Sequence, residues 1–72
     1  MTEYDYKEQF GDQLRKWLKK RNTTGYKLAE VTGIKNANVY LYIGGGSVPR
    51  AAHMVEILTF LNITPAEFWG LE

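Results

Sequence analysis

Thr23–Pro49 reads TTGYKLAEVTGIKNANVYLYIGGGSVP, and this stretch decides the fold. Thr24 is placed to cap a helix, since its hydroxyl can accept from a free amide at the helix start. Leu28 and Ala29 give that helix a short apolar face. Gly33 stops it, because glycine takes the left-handed conformation that a helix end requires. Ile34 stands in the turn as a buried anchor. Asn36 to Ile43 form a second helix, with Val39 and Tyr42 three apart on its inner face. Gly44-Gly45-Gly46 ends that helix and is expected to leave a flexible corner. Two short helices joined by a glycine-bearing turn make a helix-turn-helix unit.

Working upstream, Asp5 with Glu8 three residues later reads as a capping box that opens a first helix, which leaves residues 1–4 frayed. Phe10, Leu14, Trp17 and Leu18 follow at helical spacing as one apolar stripe. Arg15, Lys16, Lys19 and Lys20 lie off the stripe, and Lys19, Lys20 and Arg21 fall in the last turn, where cations suit the helix dipole. Asn22-Thr23 is the turn. Downstream, Ser47-Val48-Pro49 leads into a fourth helix, with the proline near its first turn, where a missing amide does no harm. Ala51, Met54, Val55, Ile57, Leu58 and Leu61 give this helix a broad apolar face, as expected of a central core helix. Asn62-Ile63 breaks it. Thr64-Pro65-Ala66-Glu67 is a second capping box, with proline at the first helical position. Phe68 and Trp69 plug the core before Gly70. Leu71-Glu72 is compatible with a cloning remnant. The expectation is an all-α fold of five short helices in one domain, residues 1–72, with the helix-turn-helix at helices 2 and 3.

Composition narrows the function. The apolar share of 44%, with 14% aromatic, is that of a packed globule rather than a disordered chain. With 72 residues the core is near the lower limit for unaided folding. No cysteine is present, which excludes disulfides and thiolate metal sites and fits a reducing, cytoplasmic setting. No apolar run approaches the roughly 20 residues of a membrane span. The net charge of +1 hides an uneven distribution: residues 13–50 carry +7 and the remainder −6. A basic middle between acidic ends gives one positive face able to meet phosphates. Enzyme readings find little support. His53 is the only histidine, and it is expected on the outer face of helix 4. Ser47 has no base beside it in the sequence, and Glu30, Glu56 and Glu67 lack metal-ligand spacing. Gly44–Gly46 is followed by no Lys-Ser/Thr and preceded by no strand, so it is not a phosphate loop.

The motifs taken together resemble a known family. Leu28-Ala29-x-x-x-Gly33-Ile34, the apolar pair Val39 and Tyr42, and Gly45-x-x-x-Pro49 have the joint spacing of the lambdoid phage repressor and Cro family. The match continues through Met54, Ile57, Leu58, Leu61, Ile63, Thr64, Glu67, Phe68 and Trp69, and spans Phe10 to Gly70. The resemblance implies a DNA-binding transcriptional regulator of a phage, a prophage or a bacterial chromosome. It would act as a homodimer on double-stranded DNA, with no cofactor, metal, membrane or small-molecule ligand. Helix 3 would enter the major groove with its early residues on base edges. Carried over position by position, Lys35, Asn36, Ala37, Asn38 and Leu41 face outward. Lys35, Asn36 and Asn38 are the base-contacting candidates, either asparagine being able to pair with adenine. Thr24, Lys27, Tyr40 and Arg50 are the phosphate-contacting candidates, with the helix 1 basics in support.

This chain also departs from the family pattern. Gly25 stands where many members have a glutamine that anchors a phosphate. Ala37 and Leu41 stand where base-reading polar residues are frequent, and Ile43 where a charged residue is. Val39, Tyr40, Leu41, Tyr42 and Ile43 run consecutively, and a helix cannot bury all five. An apolar ridge of Val31, Tyr40, Leu41 and Ile43 therefore defines a second reading from a different class. In that reading the fold binds a protein partner, as a repressor modulator or antirepressor does, through helix 3.

Overall fold

A computed structural model describes residues 3–71, with five helices and no strand among them: α1 (Glu3–Lys20), α2 (Gly25–Thr32), α3 (Asn36–Ile43), α4 (Ala51–Leu61) and α5 (Pro65–Trp69). The all-α architecture is the one read from the sequence. Residues 1, 2 and 72 lie outside the described part, as does half of the expected Leu71-Glu72 remnant.

The helix ends are set by local chemistry. Thr24 caps α2, its hydroxyl accepting from the Lys27 amide at 3.1 Å. Gly33 closes the same helix at φ 79°, its amide donating to the Ala29 carbonyl. The Thr64 hydroxyl accepts from the Glu67 amide at 3.1 Å, and the Glu67 carboxylate accepts from the Thr64 amide at 3.0 Å, which completes the expected capping box. Asn22 and Asn62 take left-handed conformations after α1 and α4, a role asparagine fills more easily than other side chains. The Leu71 amide donates to the Ala66 carbonyl at 2.8 Å and so closes α5.

Several boundaries differ from expectation. Helix α1 starts at Glu3, so residues 3–4 are helical and the Asp5–Glu8 pair lies inside the helix rather than capping it. Acidic residues early in a helix also suit its dipole, and the two signatures look alike in sequence. Pro49 is buried one residue before the N-cap Arg50 and so stands near the first turn of α4, as expected. The glycine triplet is no loose corner. The Gly45 amide donates to the Tyr42 carbonyl at 3.2 Å and the Gly46 amide to the Leu41 carbonyl at 2.9 Å, the pairing of a Schellman cap.

The core is built from Phe10, Leu14, Trp17 and Leu18 of α1, Leu28 and Ala29 of α2, Val39 and Tyr42 of α3, and Ile57, Leu58 and Leu61 of α4, with Ile34, Ile63 and Phe68 closing it. The apolar face of α4 is narrower than its sequence implies: Ala51 and Val55 are exposed and Met54 is half-buried. Helix α3 packs on both α1 and α2, while α5 packs on α1 and α4 on α2. Phe10 meets Phe68 at 5.1 Å between ring centroids and the edge of Tyr42 at 6.4 Å. The Trp17 indole donates to the Phe68 carbonyl at 3.2 Å, which ties α5 to α1.

The approach of α1 to α3 depends on Gly11. A Cβ at this position would lie 2.9 Å from the Ile43 carbonyl oxygen and 3.1 Å from the Tyr42 carbonyl oxygen and the Gly45 nitrogen. All three are backbone atoms, so no side-chain rotation can make room. Gly11→Ala is expected to cost about 1–3 kcal/mol of stability, the range for overpacking a core contact. Urea unfolding measures it, and an unchanged midpoint would contradict the close approach.

Candidate nucleic-acid interface

Helices α2 and α3 pack against each other across the turn at Gly33-Ile34, and Ile34 is buried in that turn. Val39 and Tyr42 point into the core, so the opposite side of α3 faces solvent. Lys35, Asn36, Ala37, Tyr40 and Leu41 are exposed. Asn38 is half-buried and stands at the flank of this face rather than at its crest. The carried-over positions are thereby brought onto one helix face, apart from that displacement.

Of the apolar ridge, one member drops out. Ile43 is half-buried and packs against the core. Its position is linked to Gly25: a Cβ on Gly25 would lie 2.6 Å from the Ile43 Cδ1 and 3.4 Å from a Val39 methyl. Two departures from the family pattern are thus one packing arrangement, in which the tip of Ile43 fills the space a residue 25 side chain would need. Val31, Tyr40 and Leu41 are exposed at 58%, 52% and 50%.

The basic residues divide into two sets. Arg15 donates to both the Asp12 carboxylate and the Ile43 carbonyl, clamping α1 to the end of α3. Lys20 and Arg21 lie over the Trp17 ring, 4.7 and 5.3 Å from its centroid, and the Arg21 Nε donates to the Leu61 carbonyl at 2.9 Å. Arg15 thus ties α1 to α3, and Arg21, the residue after α1, reaches α4, while Lys20 covers the Trp17 ring within α1. Lys27 pairs with Glu30 at 3.2 Å, but both side chains are more than half exposed, so the pair is weak and exchangeable. Lys16, Lys19, Lys35 and Arg50 are exposed and have no ion-pair partner among the described residues. Lys35 and Arg50 are the residues immediately before α3 and α4, and Lys27 lies in the first turn of α2.

A scan of family models matches residues 13–72 to the Cro/C1-type HTH DNA-binding domain. The chain belongs to that family. No curated protein and no solved structure matches it. The Cro/C1-type domain makes the chain a DNA-binding module of the regulator class in general terms. Among the described residues no helix is long and apolar enough to cross a membrane, and no group of three His, Cys, Asp or Glu side chains is placed to hold a metal.

Three residues that hold α3 in place were not legible in the sequence: Gly11, Arg15 as a clamp, and His53. His53 is half-buried rather than on the outer face, with its Nδ1 2.9 Å from the Tyr42 hydroxyl in a hydrogen bond that ties α4 to α3. Their common signal is tertiary: each touches the C-terminal half of α3 from another helix. Tyr42→Phe removes the hydroxyl and keeps the ring, and is expected to cost about 0.5–1.5 kcal/mol, the net worth of one such hydrogen bond. Thermal unfolding checks this, with His53→Ala in the same background showing less than additive loss.

Proposed function

We propose that this Cro/C1-type domain is a sequence-specific transcriptional regulator of the phage repressor or Cro kind. The 72 residues act as one domain that binds double-stranded DNA as a homodimer and needs no cofactor. The observation that carries the reading is the exposed face of α3, which combines Lys35, Asn36, Ala37 and Leu41 with a half-buried Asn38. Lys27 and Arg50 flank it at the starts of α2 and α4. Lys35, Asn36 and Asn38 are assigned to base edges, an asparagine amide matching the donor and acceptor pair of adenine in the major groove. Thr24, Lys27, Tyr40 and Arg50 are assigned to phosphates and sugars, which fix register without reading sequence. A domain of this size covers a half-site, and two-fold pairing supplies the other half.

The half-exposed Tyr40 and Leu41, with Val31 on α2, favour a second reading in which the face takes a protein partner. Ile43 is not available to it, being packed over Gly25.

Titrating the chain against DNA fragments at about 50 and about 200 mM salt separates the two. DNA binding by about four phosphate contacts per domain, about eight in the dimer, is expected to weaken by roughly 10⁴-fold between those concentrations. Asn36→Ala or Asn38→Ala should relax sequence preference by about 1–3 kcal/mol. Lys27→Ala or Arg50→Ala should weaken binding to all sequences and reduce the salt slope by about one per domain, about two for the dimer. Absence of any complex at the lower salt would contradict the DNA reading and leave the protein partner.

A further inference from the structure

Ala37 and Leu41 form an apolar strip on the solvent face of α3, beside Tyr40, which is exposed on the same face. Ala37 and Leu41 are four residues apart, so they stand one above the other on the same face, and both are exposed. The Leu41 side chain lies beside the glycine cap: a Cβ on Gly46 would stand 3.4 Å from its Cδ2. Val39 is buried and Ile43 is folded back over Gly25, which leaves Ala37 and Leu41, with Tyr40 beside them, as the exposed apolar side chains of α3. Lys35 at the start of α3, and Lys27 and Arg50 at the starts of its neighbours, put positive charge around the same element.

We propose that Ala37 and Leu41 determine specificity by contacting the C5-methyl groups of thymines in the major groove. This rests on the DNA-binding reading given above. Thymine is the base that offers an apolar group in that groove. Set against Leu41, a base edge bearing only donors and acceptors loses its water without gaining a partner, which penalises the wrong base as well as favouring the right one. Four residues of helix rise about 6 Å, against about 3.4 Å per base step, so the two side chains address thymines within two steps of each other. Polyanionic DNA suits this crest better than a protein does. Lys35 and Arg50 immediately before α3 and α4, and Lys27 in the first turn of α2, match a groove lined by phosphates.

The test begins with duplexes selected by the full chain from a random pool. Each thymine of the selected site is then replaced in turn by deoxyuridine, which keeps the pairing and removes the methyl. One or two positions, no more than two steps apart, are expected to lose about fourfold in affinity each, the factor for one buried methyl. In Leu41→Ala, whose exposed position leaves folding intact by circular dichroism, one of these positions should bind thymine and uracil equally. In Ala37→Gly the other should weaken its preference. Uniform tolerance of deoxyuridine by the wild-type chain would overturn the inference while leaving DNA binding standing, as would a full penalty retained at every position in Leu41→Ala. Recovery of no duplex from the pool would overturn both.

Discussion

The contact on which the structure depends is the seating of the C-terminal end of α3 on α1 at Gly11. Backbone meets backbone there with no room for a methyl group. Everything else that fixes α3 gathers at the same end. Arg15 donates to the last carbonyl of the helix, where a cation also suits the helix dipole. Gly45 and Gly46 return their amides to Tyr42 and Leu41. His53 holds the Tyr42 hydroxyl from α4, and the Ile43 tip lies over Gly25 of α2. With Ile34 buried at the other end, α3 is held from three helices and a turn. A helix fixed in this way presents its solvent face as a rigid surface, as reading base edges within fractions of an ångström requires.

Electrostatics follow from the same packing. The +7 of the middle segment is not one undivided patch. Arg15, Lys20 and Arg21 satisfy carbonyls, a carboxylate and an indole face, and their loss would be felt as stability. Lys35 and Arg50 make no such contact, and Lys27 holds only an exposed carboxylate that a phosphate can displace. Lys35 and Arg50, which immediately precede α3 and α4, are therefore among the cations left over from folding. Cations without an internal partner keep their field directed outward, which is what steering a polyanion would require.

Much of this was readable from residue order because it is local. A cap needs one side chain and an amide three positions on, so Thr24, Gly33 and the Thr64–Glu67 box could be placed from spacing alone. The stripe from Phe10 to Leu18 fixed which side of α1 is inside. What sequence left open is what depends on neighbours in space. Gly11 looks like a defect in a helix until the carbonyl of Ile43 is seen above it. Five consecutive apolar residues in α3 had to be divided between inside and outside, and the division turned on a vacancy at Gly25, eighteen positions away in the chain. Val55 was assigned inside because α4 is apolar almost all round, so periodicity carries little information there. Of the candidate site, the face was legible and its composition was not: Asn38 sits lower and Ile43 deeper than their positions suggested.

The central claim is that the outward face of α3, held rigid from behind, is the surface that meets DNA. The most direct measurement is an amide chemical-shift titration of the chain with a duplex selected by it. The account predicts perturbations concentrated at Lys35–Leu41, with a second group at Thr24–Lys27 and Arg50, while the amides of α5 stay in place. Perturbations confined to the exposed side of α4 and α5 around Val55, with α3 silent, would contradict it.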